Sequence, residues 1–200
     1  IYTTFKLTNV TEVYDPATDT WTTKAPIPNA VSYYASGVVD NKIYVVSENL
    51  TQIYDPETET WSFGTPPPYQ VDMAGGVATT GDMAPQRIYV IGGRESGLEV
   101  PYTQVYNPID DSWSLGTSMP TPRYDFAVAV VNDQIYTIGG LTGIFVVIEQ
   151  KNQNEQYTPI GYIPEFPSWA PLLFALCTVA VVLVVYKRKL CKTQSLESEK

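Results

Sequence analysis

Short apolar runs set the rhythm of this chain. Ile43-Tyr-Val-Val46, Ile88-Tyr-Val-Ile91 and Ile135-Tyr-Thr-Ile138 are rich in β-branched and aromatic side chains and too short for helices, as buried strands are. Ahead of each lies a run of small and β-branched residues, such as Phe126-Ala-Val-Ala-Val-Val131 before the turn Asn132-Asp133. After each comes a more polar stretch built around a tyrosine, with a tryptophan seven residues further on in all but the last copy. The pattern predicts strand, turn, strand, loop, strand, turn, strand, several times over.

The polar stretches repeat residue by residue. Thr11-Glu-Val-Tyr-Asp-Pro-Ala-Thr-Asp-Thr-Trp21 aligns with Thr51–Trp61 and with Thr103–Trp113, and Asn154–Ile160 is a worn fourth copy. Their tyrosines, Tyr14, Tyr54, Tyr106 and Tyr157, are spaced by 40, 52 and 51 residues, the period of a four-stranded propeller blade. Turn chemistry agrees with the strands. In Tyr-Asp-Pro the aspartate carboxylate can bond the backbone two residues on, and the proline has φ already near −65°. Gly92-Gly93 and Gly139-Gly140 end second strands, where backbones crowd or φ turns positive.

An apolar run, a glycine pair and then a spaced tyrosine and tryptophan resemble the kelch motif, over roughly residues 1–160. The resemblance implies an all-β kelch-type β-propeller of four-stranded blades. Two departures stand out: Ser47-Glu48 replaces one glycine pair, and no tryptophan follows Tyr157 at the repeat's spacing. About three and a half blades are expected. Residues 1–25 would form a blade without its first strand, 30–64 and 69–116 two complete blades, and 122–160 a blade without its last. Propellers close with four to eight blades, and kelch relatives have six or seven, so further blades are expected N-terminal to Ile1.

Composition shifts after the repeats. Residues 161–168 form a Pro-rich juxtamembrane linker, and 169–186, from Trp169 to Tyr186, are 18 residues without a charge. At 1.5 Å per residue such a helix is about 27 Å long, enough to cross the hydrocarbon of a bilayer. Lys187-Arg-Lys189 opens a basic tail, 187–200, that the positive-inside rule places in the cytoplasm, with the propeller outside the cell membrane. Pro164–Trp169, the apolar run and the basic cluster together resemble the C-terminal sorting and anchoring segments of archaeal surface proteins. That resemblance implies cleavage and lipid anchoring as an alternative to a retained span. Asn9-Val-Thr11 and Asn49-Leu-Thr51 are N-glycosylation sequons at equivalent places in two blades, which makes Asn9 and Asn49 candidate glycan sites.

Charge and residue usage narrow the chemistry. Residues 1–168 hold 19 acidic against 7 basic side chains, a field that repels phosphate backbones and argues against a nucleic-acid partner. Both cysteines, Cys177 and Cys191, lie beyond the repeats, so no disulfide is expected in the blades. With no histidine in the chain, the commonest general base and metal ligand are missing, and the copper-radical chemistry of some kelch propellers does not carry over. Asp15 with Asp19, and Asp110-Asp111, read as turn residues rather than calcium ligands. No catalytic residue, metal or cofactor is expected.

Binding is expected from the loops. The longest are Thr79–Gln86, Arg94–Tyr102 and the stretch from Leu141–Gly143 onward. Arg123, in Pro122-Arg-Tyr-Asp125, is singular against Val31 and Gln70 in the other blades. The kelch resemblance implies that arginines here contact acidic ligands, making Arg123, Arg94 and Tyr124 the candidate ligand-binding residues. The function expected is a membrane-anchored, surface-displayed, non-enzymatic module that binds a protein or glycan, with membrane lipid held through 169–186. Two alternatives remain: a surface carbohydrate-active or oxidising enzyme with its catalytic residues in further blades, and a structural surface-layer component.

Overall fold

Asp-Pro turns and glycine-ended strands fold the chain into antiparallel sheets that succeed one another along the sequence. The computed structural model describes residues 8–143 and 149–163, and among these every regular element is a strand. β1 (Thr11–Asp15) and β2 (Thr20–Lys24) pair as blade I. β3 (Ala35–Val39), β4 (Lys42–Ser47), β5 (Leu50–Asp55) and β6 (Thr60–Gly64) form blade II in that order. Blade III repeats the order with β7 (Gly75–Ala78), β8 (Ile88–Ile91), β11 (Thr103–Asn107) and β12 (Ser112–Leu115). A small hairpin, β9 (Arg94–Glu95) with β10 (Leu98–Glu99), interrupts it. Among the described residues blade IV has three strands, β13 (Ala127–Val131), β14 (Gln134–Ile138) and β17 (Asn154–Tyr157), and its own inserted hairpin, β15 (Leu141–Thr142) with β16 (Glu149–Gln150).

The outer turns form as their residues dictate. Asp15 Oδ1 accepts from the Ala17 N–H at 2.9 Å, Asp55 Oδ1 from Glu57 at 2.9 Å, and Asn107 Oδ1 from Ile109 at 3.2 Å. Each turn ends on a left-handed residue, Asp19, Glu59 or Asp111, which brings the chain back in register. Tyrosine and tryptophan then face each other across the outer strand pair. The ring centroids lie 5.2 Å apart for Tyr14–Trp21, 5.0 Å for Tyr54–Trp61 and 5.1 Å for Tyr106–Trp113, always tilted.

The core lies between blades rather than within one. Val39 and Tyr44 of blade II pack on Ile88 and Tyr106 of blade III, and Tyr89 and Ile91 pack on Ile135 of blade IV. Burying each such side chain contributes about 2–3 kcal/mol. The first strands of successive blades meet, β3 against β7 and β7 against β13. Gly76 permits that approach: a Cβ there would lie 2.2 Å from the Ser36 nitrogen. Two of the tryptophans also tie their blade to the one before, Trp61 Nε1 donating to the Ala25 carbonyl at 2.9 Å and Trp113 Nε1 to the Thr65 carbonyl at 2.8 Å.

The blade that lacks a glycine pair solves the same corner differently. In blade III, Gly93 (φ 95°) sends its N–H to the Arg123 carbonyl of blade IV at 3.0 Å, and the chain continues through the β9–β10 hairpin. In blade II, Glu48 takes the left-handed conformation (φ 49°) and Glu48-Asn49 alone connects β4 to β5. A side chain is tolerated because the long loop is gone.

No helix among the described residues is long and apolar enough to cross a membrane. The apolar run 169–186, the basic tail 187–200 and linker residues 164–168 lie outside the described residues.

Candidate functional site

Strand direction gives each blade two ends. The outer turns and the loop 79–87 lie at one; the lead-in segments 29–34, 69–74 and 121–126, with the inserted hairpins, lie at the other. Bridges join lead-in to insert at this second end, Asp72 with Arg94 and Tyr124 with Leu141. Those bridges also set the register between blades. They place Val71, not Gln70, at the position of Arg123.

Two of the three expected binding residues meet here. Arg94 Nε and Nη2 each donate to one carboxylate oxygen of Asp72 at 3.2 Å, a bidentate pair, and the guanidinium lies 4.9 Å from the centre of the Tyr124 ring. Asp72, foremost, holds the guanidinium more firmly protonated than usual. A cleft of about 400 Å³ opens beside the pair, with Glu48, Gln70, Glu95 and Ser96 on its walls. Tyr69 and Tyr102 stack behind it with centroids 4.1 Å apart, and the Tyr102 hydroxyl donates to Glu95 at 3.2 Å. Burial, then Glu95, pushes the Tyr102 phenol up. Tyr33 and Tyr34 stand exposed on the neighbouring lead-in segment.

Arg123 departs from the expectation. Its side chain is 0% exposed, and it turns inward. Nη1 donates to Glu155 at 2.6 Å and to the Thr121 carbonyl at 3.0 Å, while Nη2 donates to the Thr137 hydroxyl at 2.7 Å and carbonyl at 3.1 Å. The reason lies in the repeat. Blades II and III put Gln52 and Gln104 where blade IV has Glu155, and those glutamines reach the lead-in backbone directly, at Asn29 and Tyr69. Gln52 also gives an N–H to the Asn29 carbonyl, which a glutamate cannot do, and in blade IV Arg123 gives one to the Thr121 carbonyl instead. Tyr124 is buried too and positions Arg94 rather than meeting solvent. The signal in the sequence was the joint exchange of valine for arginine and glutamine for glutamate within one repeat.

The remaining candidates fall as follows. Asp111 Oδ1 accepts from the Tyr106 hydroxyl at 2.6 Å and the Thr65 N–H at 2.7 Å, and Asp19 Oδ1 from the Tyr14 hydroxyl at 2.7 Å, so both serve their turns. No group of three or more metal-ligating side chains occurs among the described residues. Asn9 and Asn49 are both exposed, Asn49 within the two-residue turn of blade II. Sequence reasoning missed Asp133, a buried carboxylate between blades III and IV that only the folded arrangement reveals.

The site therefore has no nucleophile paired with a base. It is a polar, tyrosine-flanked surface at the loop end of an all-β blade-repeat protein. Comparison with known proteins makes the class specific. The kelch motif matches residues 85–120 and 122–159, which include strands of blade III and the described strands of blade IV, so this stretch carries kelch repeats. It is similar to the kelch repeat and BTB domain-containing protein 12 of Homo sapiens, 26% identical over 137 residues, 68% of this chain and 16% of that protein. Kelch-like protein terF of Aspergillus terreus is 26% identical over 170 residues, 84% of this chain and 28% of that one. Alpha-scruin of Limulus polyphemus is 40% identical over 58 residues, 28% of this chain and 6% of that one. The chain spans less than a third of the length of these relatives.

Proposed function

We propose that the chain is a non-catalytic protein-interaction module that engages its partner through the loop end carrying Arg94, and that it is displayed outside the cell on a membrane anchor. The observation that carries the binding role is the Asp72–Arg94–Tyr124 arrangement: a charge fixed bidentately, backed by an aromatic ring and bordered by exposed tyrosines. Tyrosine and arginine are the residues that concentrate binding energy at protein interfaces. Exposed tyrosine rings also offer stacking platforms to a sugar, so a glycan on the partner fits the same surface.

Anchoring rests on sequence alone, on the uncharged run 169–186 followed by Lys187-Arg-Lys189. Orientation is tested with protease added to intact cells. Digestion of the blades with retention of the tail supports display, and intact blades overturn it.

The binding role is tested by site-specific photo-crosslinking in the native host. A photoreactive residue replaces either Tyr33, at the loop end, or Ile109, in an outer turn at the other end. The expected result is a discrete adduct from position 33 that is lost in Arg94→Ala, with none from position 109. Equal labelling from both positions, or an adduct indifferent to Arg94→Ala, sinks the proposal.

A further inference from the structure

The inserted hairpins of blades III and IV stand side by side. The Gly143 N–H of the blade IV insert donates to Glu99 Oε1 of the blade III insert at 3.3 Å, and Gly93, at the root of the blade III insert, donates to the Arg123 carbonyl of the blade IV lead-in at 3.0 Å. Blade II has no insert, because Glu48-Asn49 alone turns β4 into β5. On that side the Arg94 cleft of about 400 Å³ opens, lined by Glu48 of the short turn and by Asp72, Arg94 and Glu95 of blade III. The position that carries a hairpin in blades III and IV therefore carries Asn49 in blade II, one residue from the cleft wall.

Asn49 opens the sequon Asn49-Leu-Thr51, and the repeat accounts for only half of it. Thr51 recurs as Thr11 and Thr103, is buried, and donates its hydroxyl to the Thr65 carbonyl at 2.8 Å. Asn49 has Pro101 as its counterpart in blade III. Its side chain is exposed and makes no hydrogen bond among the described residues, unlike Asn107, whose Oδ1 closes its own turn. The left-handed place in the blade II turn falls on Glu48 (φ 49°), so tolerance of that conformation does not explain an asparagine at 49.

We propose that Asn49 carries an N-linked glycan, and that this glycan stands on the blade II side of the Arg94 cleft and screens the β9–β10 hairpin, limiting how a partner reaches the cleft. The proposal rests on the display outside the cell argued above, since N-glycans mark surface loops of exported chains. Addition requires the Thr51 hydroxyl as well as the Asn49 amide. The fold buries that hydroxyl against Thr65, so the sugar is added before β5 and β6 close. The finished fold then tolerates a bulky hydrophilic group, because the Asn49 amide faces solvent and has no partner to lose.

The test uses the full chain purified from its native host. Asn49 is the sole asparagine of the tryptic peptide 43–87, while Asn9 falls in peptide 7–24, so mass spectrometry reads the two sequons separately. Expected are a sugar mass on peptide 43–87 and its loss in Asn49→Gln. Glutamyl endopeptidase should cut the folded protein after Glu95 roughly threefold faster or more in Asn49→Gln than in wild type, with cleavage after Glu57, in an outer turn at the other end, unchanged. Wild-type chain made in a bacterial cytoplasm, where no glycan is added, should be cut as Asn49→Gln is. A peptide 43–87 without added mass overturns the proposal: alone where protease on intact cells digests the blades, and together with the display reading where the blades resist. Equal cleavage after Glu95 with and without the glycan also overturns it, since the sugar would then point away from the cleft.

Discussion

The carboxylate of Asp133 accepts both the N–H and the hydroxyl of Thr80, at 2.6 and 2.9 Å, across the junction of blades III and IV. Its second oxygen takes the N–H groups of Met83 and Ala84, at 2.8 and 2.9 Å. Burial alone would push this carboxyl up; the N–H groups of Thr80, Ala84 and Met83 overrule it and bring it down to about 2. One turn residue of blade IV thereby holds the loop 79–87 of blade III.

Asp133→Asn is therefore expected to cost about 2 kcal/mol at neutral pH, the free energy equivalent of the shift below the ordinary aspartate value. The sign with pH follows from the depressed value. In the unfolded chain Asp133 takes up its proton near pH 4, while in the folded protein it stays ionised to about pH 2. Its contribution is complete above pH 4 and disappears as pH falls toward 2. Urea denaturation of wild type and Asp133→Asn across that range should show the gap closing on the acid side. A gap constant down to pH 2 would mean that the charge of Asp133 does not stabilise the junction.

What the sequence made legible was local. Tyr-Asp-Pro and the tryptophan seven residues on announced turn, strand pair and ring contact because each acts within about ten residues of chain. Asp133 was invisible for the converse reason, since its partners lie some fifty residues earlier in a loop whose path nothing local dictates. Arg123 falls between these cases. Its oddity was plain, but whether it faced solvent or the interior hung on Glu155, 32 residues away, and on a register that only the backbone bridges fix.

A second consequence concerns a turn that is imperfect in one blade. Tyr14 and Tyr106 give their hydroxyl protons to Asp19 and Asp111, but Tyr54 faces Glu59, and its buried hydroxyl has no partner among the described residues. Glu59 instead reaches Lys24 of blade I. Glu59→Asp would supply the acceptor found in the sister turns and suits the left-handed conformation better than glutamate does. A satisfied buried hydroxyl contributes about 1 kcal/mol, whereas the half-exposed ion pair it replaces contributes less. Glu59→Asp should thus raise the urea midpoint, and Asp111→Glu in blade III should lower it. If Glu59→Asp proves less stable than wild type at both low and high salt, the hydroxyl is already satisfied.

The Arg123–Glu155 pair makes the sharpest test, because the neighbouring blade shows what an uncharged version looks like. Val71 and Gln104 occupy the equivalent positions in blade III, where Gln104 accepts from the Tyr69 N–H at 2.9 Å without an arginine. Removing one member of a buried ion pair leaves the other uncompensated, at a cost of about 3–5 kcal/mol, while replacing both by a packed uncharged pair is often close to neutral. Arg123→Val alone should therefore be strongly destabilising, since it strands the Glu155 carboxylate against Thr137 and the Thr121 carbonyl. Adding Glu155→Gln should recover most of the loss, because the glutamine can bond the lead-in backbone as Gln52 and Gln104 do. A double-mutant cycle on thermal or urea unfolding measures the coupling, expected at about 2 kcal/mol or more. Additive losses would show that Arg123 is held for its packing alone and that the two exchanges in this repeat are unrelated.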